Sequence, residues 1–165
     1  MNEAQQNFHT YLNLFRGAYK VIEEDWQKSA QEIGITLAEQ HILWILHIEG
    51  RCTMSRVAEV GLWDLSTVMQ IMKRLKNKEL VKTEKKANDL RVSYVTLTNQ
   101  GEKLREESAG KTHRFNDFIQ EYANKGEAEQ KFLADLMAFL KEANTVFHGS
   151  HFVKWLEQQE TSRIK

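Results

Sequence analysis

The stretch Thr53-Met54-Ser55-Arg56-Val57-Ala58-Glu59-Val60-Gly61-Leu62-Trp63-Asp64-Leu65-Ser66-Thr67-Val68-Met69-Gln70-Ile71-Met72-Lys73-Arg74-Leu75 decides the fold. Thr53 or Ser55 can cap a short helix containing Val57, Ala58 and Val60, which breaks at Gly61. Asp64 or Ser66 can cap a second helix, whose Val68, Ile71, Met72 and Leu75 recur at steps of three and four and so share one face. Just upstream, Thr36 followed by Glu39 predicts a capping box opening a supporting helix through Ile42, Ile45 and Leu46, which Gly50 stops. A supporting helix followed by two short helices around a tight turn has the sequence form of a helix-turn-helix.

Downstream the period changes from helical to alternating. Leu80–Lys86 and Val92–Leu97 are β-prone runs around Ala87-Asn88-Asp89-Leu90-Arg91, which predicts a hairpin with a charged tip. A two-strand ribbon placed there is a wing. Thr98 then caps a helix expected to run to about Asn124, until Gly126 interrupts. A last helix contains Phe132, Leu133, Leu136, Met137, Leu140 and Val146, and its apolar face is expected to continue past Gly149 through Phe152, Val153 and Leu156. At the other end, Phe8, Tyr11, Leu12, Phe15, Ala18, Tyr19, Ile22, Trp26, Ala30 and Ile33 mark a long amphipathic helix ended by Gly34.

The fold class read from these elements is mainly α with a small β-wing. Residues 35–101 form a winged helix-turn-helix head, and residues 1–34 and 102–165 form dimerisation helices of the same single domain. The terminal helices carry more apolar surface than a lone head can cover, so a core shared between two chains is expected. Phe8, Tyr11, Phe15, Tyr19, Leu136, Leu140, Phe147 and Phe152 are its candidate residues. The 165 residues, 41% hydrophobic and 28% charged, suit such a domain, and the absence of proline permits long unbroken helices.

Lys plus Arg and Asp plus Glu each number 23, so the chain is formally neutral. The charge is unevenly spread: residues 1–50 carry a net of −4, residues 51–91 a net of +5 and residues 92–165 a net of −1. A local basic surface is all that displacing counterions from a phosphate backbone requires. In helix-turn-helix proteins the second helix enters the major groove. With Val68, Ile71, Met72 and Leu75 facing inward, the exposed side comprises Leu65, Ser66, Thr67, Met69, Gln70, Lys73 and Arg74. Gln70 can pair bidentately with adenine, Ser66 and Thr67 can reach bases or phosphates, and Leu65 and Met69 can meet thymine methyl groups. Lys73 and Arg74 suit phosphates. Asp89 and Arg91 lie two apart at the wing tip, where a carboxylate can pre-aim the arginine fork for a narrow minor groove. Double-stranded DNA with an A·T-leaning site is the expected partner.

Residues 53–101 resemble the MarR family of winged helix-turn-helix regulators. The resemblance rests on Asp64-Leu65-Ser66-Thr67-Val68 in the second helix and on Asp89-Leu90-Arg91, Leu97-Thr98 and Gly101 around the wing. Where the family commonly has Leu-Gly before its turn, this chain has Gly61-Leu62. Where glycine often follows the recognition helix, it has Glu79, so a left-handed cap there is absent or strained. Gly61-Leu62-Trp63, Glu39-Gln40-His41-Ile42-Leu43-Trp44-Ile45 and Glu24-Asp25-Trp26-Gln27 look most like the Hpr branch, regulators of extracellular protease production and sporulation. The resemblance implies a cytoplasmic, nucleoid-associated repressor of protease and transition-state genes. It implies a homodimer with interlocked terminal helices reading a pseudo-palindrome, with half-sites roughly 10 bp apart. In many relatives a small ligand or an oxidant changes the separation of the heads; the residues do not specify an effector here.

Other chemistries find little support. Cys52 invites a redox reading, since Arg51 beside it could lower its pKa, but packing is the better expectation. His148 and His151 lie three apart, yet no cysteine or paired carboxylate completes a zinc set, so no metal or cofactor is expected. No G-x-S-x-G, Walker A, G-x-G-x-x-G or H-E-x-x-H motif is present, and an enzyme is not expected. No stretch approaches the roughly 20 apolar residues of a membrane-spanning helix, and the acidic, amphipathic start is unlike an export signal. The serious competitor is a winged helix that docks a protein, for which the exposed face should be apolar.

Overall fold

The computed structural model describes residues 3–86, 89–111 and 113–163, with side chains over 7–85, 93–111 and 113–158. Among the described residues the chain forms α1 (Glu3–Glu32), α2 (Leu37–Glu49), β1 (Cys52–Thr53), α3 (Met54–Gly61), α4 (Leu65–Asn77), β2 (Val81–Lys86), β3 (Asp89–Leu97), α5 (Asn99–Ala109), α6 (Arg114–Ala123), α7 (Glu127–His148) and α8 (Ser150–Arg163). The fold is mainly helical with a small antiparallel sheet, as expected.

Local chemistry sets the boundaries. Gly34, at φ +75°, turns the chain out of α1. At α2 the capping box forms: Glu39 N–H donates to Thr36 Oγ1 at 3.2 Å, and Thr36 N–H donates to Glu39 Oε2 at 2.8 Å. Thr53 and Thr98 cap α3 and α5 by accepting from Arg56 N–H and Gly101 N–H. Ile42, Leu43, Ile45 and Leu46 of α2, Val57 and Val60 of α3, Val68, Ile71, Met72 and Leu75 of α4, and Leu80, Val81 and Val95 of the sheet form one buried core. Each such side chain contributes about 1.5–3 kcal/mol on full burial.

The sheet has strand order β1-β3-β2. β1 went unforeseen: Cys52 and Thr53 pair with Val95 and Tyr94, a run too short to show alternation. β2 runs from Val81↔Leu97 to Lys86↔Asp89, with a register shift after Lys85, so β3 begins three residues before the expected Val92.

Two helix expectations are corrected. The helix expected from Thr98 to about Asn124 is split at Gly110. Arg114, opening α6, donates through Nε to Asp25 Oδ1 at 2.6 Å, and Lys111 reaches Glu32 at 2.9 Å, so the break docks both segments onto α1. The apolar face expected to continue past Gly149 instead turns back. Gly149 sits at φ +85°, where a side chain would also crowd the His151 ring. Beyond it α8 buries Val153 and Trp155, and Lys141 of α7 bonds Glu157 of α8 at 3.1 Å. None of the described helices is long and apolar enough to cross a membrane.

Candidate nucleic-acid interface

α4 presents its polar side outward. Val68, Ile71, Met72 and Leu75 are buried, whereas Leu65, Ser66, Thr67, Met69, Gln70, Lys73 and Arg74 are all exposed. Leu65 and Met69 on this face are 45% and 56% exposed, and Leu62 in the preceding turn 47%. The Asp64 backbone is extended, as an N-cap requires.

The turn before α4 explains the inverted Gly61-Leu62 pair. The Trp63 ring lies over Gly61, and a Cβ there would overlap the ring and press on Ile45. Trp63 also meets His41 edge-on at 5.0 Å between centroids. Glycine is thus consumed by packing, and the left-handed residue becomes Leu62, at φ +56°. After α4, Glu79 is left-handed too, at φ +58°. Of the two alternatives open at this position, the strained cap is the one present; left-handed geometry costs a non-glycine residue about 1–2 kcal/mol.

The basic residues at the end of α4 divide into two groups. Lys73 and Lys76 are exposed and have no acidic partner among the described residues. Arg74, expected to face phosphates alongside Lys73, is 49% exposed, with its Nε 3.4 Å from Glu39 Oε1 of α2. Lys78 Nζ donates to Glu39 Oε2 at 2.9 Å and to the Gly34 carbonyl at 3.2 Å. Glu39 is wholly buried. Burial alone would raise its pKa, but the Thr36 N–H and Lys78 outweigh burial and hold it below the ordinary glutamate range. Sequence reading identified Glu39 only as a capping residue; its partners 35 and 39 positions away left no local signal.

At the wing, the side chains of Asp89 and Arg91 lie outside the described residues. At its base Arg51 stacks on Tyr94, 3.9 Å from the ring centroid.

The terminal helices leave much apolar surface uncovered. Phe8, Tyr11, Phe15 and Tyr19 on α1 are more than half exposed, Leu140 is exposed, and Phe147 is 78% exposed. Leu136 is half-buried. Phe152 departs from this set: it packs against the chain's own core, stacked on Trp155 with centroids 6.3 Å apart.

Between α1 and the α5–α6 break lies a cleft of about 690 Å³ lined by Glu24, Asp25, Lys28, Ser29, Glu32, Gly110, Lys111 and Arg114. Cys52 is buried, and burial with the nearby Glu49 charge pushes its thiol up to about 11, against the lowering expected from Arg51. Among the described residues no group of three His, Cys, Asp or Glu could hold a metal ion. His151 instead faces Glu59 of α3 at 3.2 Å.

Residues 35–93 match the MarR family, the segment that carries α2, the helix-turn-helix and most of the wing. The chain is 35% identical over 102 residues to the HTH-type transcriptional regulator Hpr of Exiguobacterium sibiricum, covering 62% of this chain and 54% of that protein. It is 33% identical over 88 residues to the DNA-binding transcriptional repressor ScoC of Bacillus subtilis, covering 53% of this chain and 43% of that one. The chain therefore spans about half the length of the curated relatives it matches. A crystal structure of mutant MarR from E. coli complexed with operator DNA shares the fold, with a TM-score of 0.69 and 20% identity, covering 86% of this chain and 99% of that one. In this chain α4 packs against β2, the first strand of the wing.

Proposed function

We propose that this protein is a sequence-specific, DNA-binding transcriptional regulator of the Hpr type: a homodimeric repressor of extracellular protease and transition-state genes that binds an A·T-rich pseudo-palindrome. The observation that carries this reading is the outward face of α4, where Gln70 stands among Ser66, Thr67, Met69 and Lys73 on a helix whose opposite face is buried. Gln70 reads adenine, Leu65 and Met69 meet thymine methyls, and Lys73 takes a phosphate. Asp89 and Arg91 serve the wing, where arginine enters the minor groove. Residues 35–101 act as the reading head, and residues 1–34 and 102–165 pair two chains. The uncovered aromatic residues of α1 and α7 support that pairing. The relatives named as the regulator Hpr and the repressor ScoC, and the MarR complex with operator DNA, support the activity.

The test is selection of bound duplexes from a random pool, followed by titration of the selected and a scrambled duplex at several salt concentrations. The expected result is an A·T-rich, two-fold related site with half-sites roughly 10 bp apart. Failure to enrich any sequence, with equal affinity for both duplexes, would remove the specificity claim. Sedimentation of the free protein as a monomer at micromolar concentration would remove the dimer.

A further inference from the structure

We propose that Glu39 is a positioning residue for duplex binding, holding Arg74 and Lys78 against α2 and out of the charge that α4 offers to phosphates. The inference rests on the DNA-binding reading above and deepens it. Glu39 belongs to the supporting helix, yet its carboxylate meets both cations from the end of α4, at 3.4 Å for Arg74 Nε and 2.9 Å for Lys78 Nζ. The carboxylate is 1% exposed, while Arg74 and Lys78 remain 49% and 39% exposed. The two side chains therefore border solvent but are anchored from within. Lys78 is fixed a second time by the Gly34 carbonyl, which ties the end of α4 to the α1–α2 junction.

A buried carboxylate facing two cations does two things at once. It fixes the direction in which α4 leaves the head, because the ions cannot be reached if the helix end swings away. It also leaves Lys73 and Lys76 as the uncompensated cations of this segment among the described residues. Phosphate contacts are counted by the salt dependence of binding, about 0.9 in the log–log slope for each contact on duplex DNA. The held cations should be missing from that count.

Glu39→Gln keeps the size of the side chain and its capping geometry, since glutamine also serves at the third position of a capping box. It removes the charge that holds Arg74 and Lys78. The experiment measures the salt slope on one fixed duplex for the parent, E39Q, K78Q and the double variant, each checked for folding by circular dichroism. The expected result is a slope steeper by about 0.9–1.8 in E39Q. K78Q should leave the parent slope unchanged but remove about 0.9 from the slope of E39Q. A folded E39Q with the parent slope overturns the inference, although duplex binding itself would stand. Should E39Q not fold, K78Q alone decides: an unchanged slope supports the inference, and a loss of about 0.9 overturns it. Absence of duplex binding by the parent would overturn the functional reading first, and this inference with it.

Discussion

Gly101, in the first turn of α5, lies against the backbone carbonyl of Leu80 so closely that a Cβ would overlap the oxygen. The same carbonyl accepts from Thr98 N–H at 3.1 Å, and the Thr98 hydroxyl donates to the Glu79 carbonyl at 2.7 Å. The start of β2, the end of β3 and the beginning of α5 thus meet through backbone, and no rotamer change can make room. Gly101→Ala is expected to destabilise the fold by about 1–3 kcal/mol, read as a lower urea midpoint at unchanged slope. A variant as stable as the parent would mean that α5 can slide without cost.

The left-handed Glu79 stores strain in the opposite sense. Glycine at this position removes a penalty of about 1–2 kcal/mol but costs about 0.5–1 kcal/mol in chain entropy. Glu79→Gly is therefore expected to stabilise the head by up to about 1.5 kcal/mol, measured by the same urea titration. A destabilised variant would show that the Glu79 side chain contributes more than its backbone conformation costs.

The attachment of α1 to α6 should be acid-labile. Burial alone would raise the Asp25 pKa from 3.8, but its hydrogen bond and ion pair with Arg114 prevail and lower it. Glu32 is lowered chiefly by its bond to Lys111. A carboxylate with a depressed folded pKa stabilises the fold above its unfolded pKa, and that contribution fades as the pH falls below it, here below about 4. Arg114→Gln removes the partner that lowers Asp25, so the variant lacks this contribution at neutral pH already, and its stability is expected to converge on the parent's below about pH 4. Urea titrations followed by circular dichroism at about pH 7 and pH 3 check this; a variant as stable as the parent at about pH 7 would deny the pair its role.

Cys52 should be chemically quiet. A thiol pushed up to about 11 is almost wholly protonated at neutral pH, and the thiolate is the reactive form. Iodoacetamide at pH 7.5 is expected to label Cys52 far more slowly in the native protein than in urea. Equal rates would place the thiol at the surface and reopen the oxidant reading.

What could be read from the sequence was what repeats locally. The Thr36–Glu39 capping box, the buried stripe Val68-Ile71-Met72-Leu75 and the hairpin depend on spacings of two to four residues, and all are present. Phe152 shared its periodicity with the exposed stripe of α7, but the turn at Gly149 sends it to the core. The split at Gly110 follows from Arg114 reaching Asp25, 89 positions away. The approach of Arg74 to Glu39, 35 positions away, likewise left no local signal. Each departure is a long-range charge or backbone event that periodicity does not encode.

Gln70 and Lys73 offer the sharpest separation of roles on α4. They lie three positions apart and both are exposed, so a general weakening of the helix would affect them alike. On the proposed reading their chemistry differs. An amide that pairs with both hydrogen-bonding groups of adenine contributes only at the correct base, about 1–3 kcal/mol of discrimination. An ammonium on a phosphate contributes at every sequence and releases a counterion. Gln70→Ala should therefore lower affinity for the selected duplex by about 1–3 kcal/mol, leave a scrambled duplex nearly unaffected and keep the salt slope. Lys73→Gln should weaken both duplexes and reduce the slope by about 0.9. Fluorescence anisotropy titrations of both variants on both duplexes decide the matter, and an equal loss on the two duplexes from Gln70→Ala would make α4 a nonspecific clamp.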